Sequence, residues 1–552
     1  MSHSLCANTL RGLAIDAVQA ANSGHPGMPM GCADMATVLW TQFLKHDPAD
    51  PSWPDRDRFV LSAGHGSALL YSLLHVSGYD LSLDDLRNFR QWGAKTPGHP
   101  EVGHTPGVET TTGPLGQGFA TGVGMAMAER LLRETFGEDL CDHRVWGIVG
   151  DGDLMEGISA EAASLAGHLG LGRLNYLYDS NRITIDGSTD ITFTEDITRR
   201  FEAVGWHVVH CDGHSAEELA EAMAAARDEL ERPSLVVCRT VIGFGSSIEG
   251  TSKTHGAPLG EAEIRSVKER IGLDPDAHFA VAGGVYEAFR SHGGPAARKA
   301  WEDRLEGHSE AARFQEWLDN DVEAIIDRAE WPSFEAGSKI ATRKASQGAL
   351  KAIADAAPWV IGGSADLAGS NGTAIGGGFF TAERFADARV INFGVREHAM
   401  GSICNGMRLH GGVLPYCATF LAFHDYQRPS VRLAALMEQQ VVYIYTHDSV
   451  FLGEDGPTHQ PIEHLAALRA MPNCLVFRPA DANETSAAWK AALRNTTGPT
   501  ALVLTRQGLP VLPGTTDWGR AAQAIGHARH PPQHFHAIEE RIASGAFGQF
   551  ID

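Results

Sequence analysis

Two oxygen-bearing side chains follow two short apolar runs of the chain. Asp151 stands in a Gly-Asp-Gly-Asp string directly after the apolar run 145–149, and Asn181 follows the run 174–178. Both are hard oxygen donors, and a cation such as Mg2+ takes one or two such ligands together with diphosphate oxygens and water. Gly-Asp-Gly alone is more often an ordinary capped turn. Asn181 at the end of the second run favours a metal and diphosphate site.

The elements that position these side chains form a single structural unit. The two apolar runs predict buried strands, and helical apolar spacing from Ile158 to Leu169 separates them. A strand, a glycine turn, a helix and a strand make the unit of a parallel sheet, whose ligands bind at the carboxyl ends of the strands. Glycines on both sides of Asp151 let a phosphate approach the backbone.

Histidines flanked by glycine or proline occur three times in the first hundred residues. His25 lies in Ser-Gly-His-Pro-Gly, His65 in Ala-Gly-His-Gly-Ser and His99 in Pro-Gly-His-Pro-Glu. Such neighbours predict tight turns rather than helix faces. Any one of these histidines, taken alone, is most simply a solvated loop residue. Three of them, together with the string Thr-Gly-Pro-Leu-Gly at 112–116, favour a shared site.

Composition excludes several classes of protein. The chain has 552 residues, of which 43% are hydrophobic and 20% charged, as in an ordinary globular protein of several domains. Its formal net charge of −23 argues against a nucleic-acid or anionic-membrane surface. Eight cysteines without a metal-binding spacing indicate a reducing compartment. We find no apolar run of membrane-spanning length and no signal peptide, so we expect a cytoplasmic protein.

A second α/β pattern begins near residue 338. Between the two patterns, residues from about 260 to 340 are rich in Glu, Arg and Ala and predict a helical connector with solvated charges. The second pattern again alternates strands and helices, which predicts another doubly wound sheet. The strand candidates are 359–361, 389–393, 440–445, 474–477 and 501–504, and helices are predicted at 430–437 and 483–493.

The glycine and histidine strings of the first half resemble the diphosphate-binding half of the transketolase family, which depends on thiamine diphosphate. The second half resembles the pyrimidine-binding half of the same family, on the strings Gly-Val-Arg-Glu-His, Thr-His-Asp-Ser and Gly-Glu-Asp-Gly-Pro-Thr-His-Gln. The likeness covers roughly residues 10 to 510.

The resemblance implies two doubly wound α/β domains that bind thiamine diphosphate. The implied limits are 1–311 for the diphosphate domain, 312–337 for a helical connector, 338–510 for the pyrimidine domain and 511–552 for a short tail in place of the usual third domain. The tail holds a histidine-rich stretch, 527–536, more typical of a loosely ordered end than of a metal site.

The resemblance assigns residues to the cofactor and its metal. Asp151, Asn181 and the carbonyl of Ile183 would hold the metal. The implied metal is Mg2+, with Ca2+ or another divalent cation as alternatives. The residues implied to bind thiamine diphosphate are His65, Gly113, Pro114, Leu115, Gly152, Glu156, Asn181, Asp366, Glu397, Phe420, Phe423 and Tyr426.

Glu397 follows a predicted strand and opens a helix. By itself it could be an ordinary acid in the first turn of a helix, stabilised by the helix dipole. In the family the matching glutamate hydrogen-bonds the aminopyrimidine ring and helps to form the reactive ylid of the cofactor, which needs proton transfer. Phe420, Phe423 and Tyr426 would lie around the pyrimidine ring. Without the resemblance these aromatic residues would be interpreted as core.

The resemblance also assigns the substrate site. Arg343, Ser370 and Arg506 would clamp a phosphate, because a guanidinium group binds phosphate bidentately. Glu397 and the histidines at 25, 99, 255 and 459 would be the catalytic residues, since histidine titrates near working pH. The full set implied to contact substrate is His25, His99, His255, Arg343, Ser370, His447, Asp455, His459 and Arg506. Phe451 stands where the family pattern has a glycine, and we expect it to narrow or reshape the pocket.

The implied function is reversible transfer of a two-carbon ketol group from a ketose phosphate, such as xylulose 5-phosphate, to an aldose phosphate, such as ribose 5-phosphate. The group would be carried as a carbanion of the cofactor. In this family the cofactor lies between the first domain of one subunit and the second domain of the other, which implies a homodimer. Two alternatives remain: a relative of dihydroxyacetone synthase, and a non-catalytic relative that only binds the cofactor.

Overall fold

The computed structural model describes residues 2–515, and the chain divides into two compact units. The histidine-rich stretch 527–536 lies outside the described residues. The first unit contains the chain up to Gln315 with two short later segments, Thr381–Ala386 and Leu409–Gly411. The second unit contains Glu316–Phe380, Asp387–Arg408 and the described chain from Gly412 on, which ends at residue 515.

The first unit is built on a five-stranded parallel sheet. In spatial order its strands are Arg58–Leu61, Val145–Gly150, Leu174–Ser180, Ser234–Arg239 and His207–Asp212. The two strands predicted before Asp151 and Asn181 are confirmed, and they are neighbours. Gly150 pairs with Asp179 in the register of these two strands. Both predicted oxygen ligands therefore leave the sheet at the same edge.

Helices cover the sheet of the first unit and form its core with it. Buried side chains of the N-terminal helices pack against Trp146, Leu177 and Val236 of the strands. The helix predicted from Ile158 begins at Gly157 and ends before Gly170, whose φ of 62° is a left-handed helix stop. The helices are His3–Ala20, Gly27–Val38, Ser67–Ser77, Leu83–Arg87, Gln117–Phe136, Asp151–Met155, Gly157–Leu169, Ile197–Ala203, Ala216–Asp228, Glu261–Arg270, Val285–Arg290, Pro295–Glu306 and Ala311–Asp319.

The stretch that the sequence predicts as a connector packs largely within the first unit. Ile264 and Val267 are fully buried and form a small core with Ile15. Lys268, expected on a solvated helix face, is also buried, and its Nζ lies 2.6 Å from Oδ1 of Asp16. A buried lysine requires such a partner, because an unpaired charge in the interior is costly. Composition did not reveal this pairing, since the two residues are far apart in the chain.

The second unit is built on a seven-stranded parallel sheet. In spatial order its strands are Gly378–Phe379, Ala388–Asn392, Val360–Ser364, Leu414–Phe420, Val442–Thr446, Thr500–Leu504 and Leu475–Phe477. The five predicted strands are present, with ends that differ by one or two residues in most cases and by up to three. The central strand Leu414–Phe420 escaped prediction because it contains Pro415, and proline is rare inside central strands.

The helices of the second unit include the one that Glu397 opens. They are Val322–Arg328, Thr342–Ala356, Ala368–Asn371, Glu397–His410, His424–Leu436, His464–Arg469 and Ala482–Arg494. The helix predicted from residue 430 starts at His424, because Pro429 is accommodated inside it. Two parallel-sheet α/β domains, the predicted fold class, are thereby confirmed. Among the described residues no helix is both long and apolar enough to cross a membrane.

Candidate functional site

Asp151 begins a short helix at the edge of the first sheet, and its carboxylate is held from two sides. The side chain is nearly buried. The hydroxyl of Tyr178 donates to Oδ1, and the backbone N–H of Arg182 donates to Oδ2 at 3.1 Å. Burial raises the pKa of Asp151 to about 6, and the nearby charge of Asp179 adds to the rise. A carboxylate that is fixed and poorly solvated in this way is suited to a cation.

The loop after the third strand presents the second predicted oxygen ligand. The side-chain amide of Asn181 donates to Asp179 at 2.8 Å, which leaves its Oδ1 to accept the N–H of Ile183 at 2.9 Å. Arg182 between them has a φ of 62°. Its N–H, bonded to Asp151, ties this loop to the carboxylate. The donor set of carboxylate, amide and main-chain oxygens fits a hard cation such as Mg2+.

The glycine loop 113–116 lies against the start of the same short helix. A Cβ atom at Gly152 would lie 2.8 Å from Cδ1 of Leu115, so any other residue there would force the Leu115 side chain to shift. Gly113 has a φ of 142°, and a Cβ there would meet the ring of His99 at 3.3 Å. These glycines leave the open backbone that a diphosphate needs, which is what the resemblance implies for them.

Four histidines from distant parts of the first unit form one cluster. The ring centre of His25 lies 5.3 Å from that of His65, 6.2 Å from that of His99 and 5.7 Å from that of His255. His65 and His255 stack at 5.2 Å. The structure thus brings together all four histidines that the sequence singled out in this half.

The histidine cluster is held neutral by its surroundings. Burial, reinforced by repulsion between the rings, lowers the pKa of His25 to about 4 and that of His65 to about 3. Burial also lowers the pKa of His99 and of His255. Neutral imidazoles both donate and accept hydrogen bonds, which suits contacts with sugar hydroxyl groups.

Two residues of this site were not predicted from the sequence. Arg90 places Nη2 3.5 Å from Nδ1 of His25 and donates to the hydroxyl of Ser23 at 3.2 Å. It stands in the string Asn-Phe-Arg-Gln, which carries no motif. Asp153 is completely buried beneath the loops that carry the predicted cofactor contacts. Its place in Gly-Asp-Gly-Asp was visible, but its partners lie in distant parts of the chain.

In the second unit, Glu397 lies at the start of its helix and is only 8% exposed. The hydroxyl of Thr419, on the central strand, donates to Oε1 of Glu397 at 3.3 Å. Burial raises the pKa of Glu397. A raised pKa favours the protonated form of a carboxyl group, which sets Glu397 apart from an ordinary helix-capping acid on the surface.

The predicted aromatic residues extend from the buried Phe420 through the partly exposed Phe423 to the exposed Tyr426. The ring centre of Phe420 lies 5.8 Å from that of Phe423 and 3.8 Å from that of His447. Phe423 in turn lies 6.2 Å from Tyr426 and 5.2 Å from His459. Tyr426 is 66% exposed. The cluster therefore offers aromatic surface that a flat ring could cover.

A cationic group lies beside the aromatic cluster. Arg343 donates to the carbonyl of Ser370, and Arg506 donates to the carbonyl of Leu452 at 2.7 Å. Burial and the charge of Arg506 lower the pKa of Arg343. Burial and then the two arginines lower the pKa of His447 to about 4. Nε of Arg343 is buried without a partner among the described residues. The group can therefore accept an anion in a chain of strongly negative charge.

The remaining predicted residues are mostly exposed to solvent. Asp455 is exposed, and its charge acts on the pKa of His447 in the direction opposite to that of the arginines. Pro114, Glu156 and Asp366 are also exposed. Phe451 is 75% exposed on the turn Val450–Leu452. Its expected effect on the pocket stays a prediction.

Two family models match the chain and together cover most of it. They are described as the thiamine diphosphate binding domain of transketolase, over residues 2–325, and the pyrimidine binding domain of transketolase, over residues 338–511. The chain belongs to the transketolase family. Its two halves are the two thiamine-diphosphate-binding domains of that family, which confirms the resemblance seen in the sequence.

Individual relatives agree with this family membership. A transketolase from Geobacillus stearothermophilus is 54% identical over 94% of this chain and 80% of its own length. The solved transketolase from Leishmania mexicana is 47% identical with a TM-score of 0.90, over 93% of this chain and 78% of that chain. A transketolase from Pichia stipitis, solved in complex with sedoheptulose 7-phosphate, is 44% identical with a TM-score of 0.90, over 94% of this chain and 79% of that chain. This chain is accordingly an enzyme of the transketolase family.

Proposed function

We propose that this transketolase-family enzyme transfers a ketol group reversibly from a ketose phosphate, such as xylulose 5-phosphate, to an aldose phosphate, such as ribose 5-phosphate. The observation that carries the substrate class is the cationic group of Arg343 and Arg506 beside His447. The sugar phosphate bound to the Pichia stipitis relative supports the same class. A reaction within the pentose phosphate pathway follows from these substrates.

The cofactor is thiamine diphosphate with a divalent metal. We place the metal on Asp151, Asn181 and the carbonyl of Ile183, with Mg2+ as the cation and Ca2+ or another divalent cation as alternatives. Hydrogen bonds already orient the side-chain oxygens of Asp151 and Asn181. When bound, thiamine diphosphate supplies an acidic thiazolium carbon that reacts with the ketose carbonyl. The residues placed around it are His65, Gly113, Pro114, Leu115, Gly152, Glu156, Asp366, Glu397, Phe420, Phe423 and Tyr426.

The protons of the reaction are handled by residues with perturbed pKa values. Glu397 would hydrogen-bond the aminopyrimidine ring through its carboxyl group, and its raised pKa favours the protonated form that this contact needs. The neutral histidines of the first unit accept and return protons at the hydroxyl and carbonyl oxygens of the sugar. The histidines proposed for these steps are His25, His99, His255 and His459.

The phosphate of the sugar binds the cationic group. Arg343 and Arg506 contact its oxygens with Ser370, and each guanidinium group contributes charge-assisted hydrogen bonds. His447 and Asp455 contact hydroxyl groups of the sugar. These contacts concentrate positive charge locally, which a chain of net charge −23 requires for an anionic substrate.

The enzyme works as a homodimer with its active sites at the subunit interface. The family likeness supports this arrangement, in which the first domain of one subunit meets the second domain of the other. We place the domain limits at 1–311 and 338–510, with 312–337 between them. Eight free cysteines support a cytoplasmic location.

A comparison of acceptor substrates tests the proposed reaction. With xylulose 5-phosphate as donor, ribose 5-phosphate should be a far better acceptor than formaldehyde, because only the sugar phosphate meets the arginines. The reverse preference would favour a relative of dihydroxyacetone synthase. Binding of thiamine diphosphate without turnover of any sugar phosphate would favour a non-catalytic relative.

A further inference from the structure

Asp153 is a buried carboxylate that the proposed chemistry does not use. It stands two residues after Asp151, and its side chain is fully shielded from solvent. A carboxylate in such a place is costly unless its oxygens accept several hydrogen bonds. Its partners therefore show what it does.

Three donors from three separate segments converge on this carboxylate. The hydroxyl of Ser62 donates to Oδ1 at 2.7 Å, and the backbone N–H of Gly116 donates to the same oxygen at 2.8 Å. The backbone N–H of Gly150 donates to Oδ2 at 2.9 Å. One side chain thus joins the end of the first strand, the glycine loop and the end of the second strand.

The network continues into two helices. Oγ of Ser62 also accepts the N–H of Phe119 at 3.0 Å, on the helix Gln117–Phe136. The hydroxyl of Ser159, on the helix Gly157–Leu169, donates to the carbonyl of Asp153 at 2.6 Å. Asp153 is therefore anchored to the packed body of the unit, through its carboxylate by way of Ser62 and through its main-chain carbonyl by Ser159.

Each segment held by Asp153 leads directly to a proposed cofactor contact. The strand end at Ser62 runs into the turn of His65, Gly116 closes the glycine loop, and Gly150 precedes Asp151. We infer that Asp153 is a positioning residue that holds the diphosphate loop, the metal-binding strand end and the His65 turn in mutual register. The inference rests on the proposed cofactor site and adds to it a residue that touches neither the cofactor nor the metal.

Replacement by asparagine separates this role from a simple need for a polar side chain. In Asp153→Asn one oxygen becomes an NH2 donor, which would face the N–H of Gly150. If the amide turns over, the NH2 faces the N–H of Gly116 instead. Either way one loop N–H is left unsatisfied at nearly unchanged side-chain volume. We expect about ten- to a hundredfold weaker binding of thiamine diphosphate, the range for loss of a charge-assisted contact.

The test titrates thiamine diphosphate into full-length apo-protein at saturating Mg2+ and follows hydrogen exchange of the same apo-proteins. Asp196→Asn is the matched control, because Asp196 is an exposed aspartate that caps the helix Ile197–Ala203. The expected result for Asp153→Asn is weaker binding together with faster exchange at the amides of Gly116 and Gly150, while the control binds like the wild type. Cofactor affinity within twofold of wild type, or lower global stability with unchanged affinity, would overturn the inference.

Two further variants test the inference if Asp153→Asn does not fold or if the proposed metal site is wrong. If Asp153→Asn does not fold, the test uses Ser62→Ala, which removes one of the three donors. A loss of thiamine diphosphate affinity of about threefold or more in this variant supports the inference, and unchanged affinity contradicts it. Asp151→Ala reports on the proposed metal site itself. If Asp151→Ala binds as tightly as wild type, the proposed site fails, and the exchange of the two glycine amides still decides whether Asp153 holds the loops.

Discussion

The imidazole ring of His447 lies over the ring of Phe420, with their centres 3.8 Å apart. The hydroxyl of Thr446 donates to Oδ1 of Asn371 at 2.7 Å, so its contact of 2.9 Å with Nδ1 of His447 makes the histidine the donor there. The other nitrogen, Nε2, is then free to accept, because burial and two arginines keep the ring neutral and lower its pKa to about 4. The aromatic and cationic groups of the second unit meet at this pair.

This arrangement predicts that His447 binds a sugar hydroxyl rather than the phosphate. His447→Ala should raise the KM for phosphorylated and unphosphorylated donors by a similar factor, about five- to tenfold, the value of one ordinary hydrogen bond. The measurement compares xylulose 5-phosphate with a short unphosphorylated ketose. A rise confined to the phosphorylated donor would place His447 on the phosphate instead.

Arg343 and Arg506, unlike His447, should discriminate between phosphorylated and unphosphorylated sugars. Arg343→Ala and Arg506→Ala should raise the KM for phosphorylated sugars about ten- to a hundredfold more than for unphosphorylated ones, because a charge-assisted contact contributes roughly 1.5–3 kcal/mol. Arg494→Ala is the control, since Arg494 is paired with Glu323 on the surface of the same unit. Equal effects on both substrate classes would mean that Arg343 and Arg506 only support the structure.

Glu397 should be needed for activation of the cofactor but not for its binding. Glu397→Gln keeps the shape and can still accept from Thr419, yet it has no carboxyl proton to give or take. Thiamine diphosphate should bind, while deuterium exchange at its thiazolium carbon slows by about 10² or more, as for other lost acid–base groups. Exchange at the wild-type rate in this variant is the result that excludes the assigned role.

Buried histidines should make the fold sensitive to mild acid. Burial lowers the pKa of His424 to about 4 from an ordinary value of 6.5. Its contribution to stability is complete above pH 6.5 and is lost as the pH falls towards 4, because the unfolded chain then binds the proton and the folded chain does not. His424→Gln should reduce the loss of unfolding free energy between pH 7 and pH 5 by about 2 kcal/mol. Urea unfolding at the two pH values measures it, with the exposed His168→Gln as control. An unchanged difference would show that His424 does not titrate with folding.

Local patterns predicted the parts of the site that stand beside strand ends and tight turns. Asp151 and Asn181 stood out as candidates because two apolar runs precede them, and His25, His65 and His99 because glycine or proline flanks each of them. The central strand Leu414–Phe420 was missed because Pro415 interrupts its pattern. Here the tertiary structure outweighs a local preference.

Residues whose role depends on distant partners could not be predicted. Asp153 is defined by donors at Ser62 and Gly116, and the buried pair of Lys268 and Asp16 joins residues 252 positions apart. From the sequence alone, a charged residue in a polar run is interpreted as solvated, because its partner becomes a neighbour only in the folded structure. The same reason hid Arg90, which only the folded chain brings next to His25.

The central claim is that this enzyme performs ketol transfer with thiamine diphosphate and a divalent metal. The most direct measurement incubates apo-protein with xylulose 5-phosphate and ribose 5-phosphate and follows sedoheptulose 7-phosphate, with and without thiamine diphosphate and Mg2+. We expect product only when both are added, loss of product on chelation of the metal, and little product from Glu397→Gln under the same conditions. Product formation at an equal rate without the cofactor, or none from the fully loaded wild-type protein, would contradict the account.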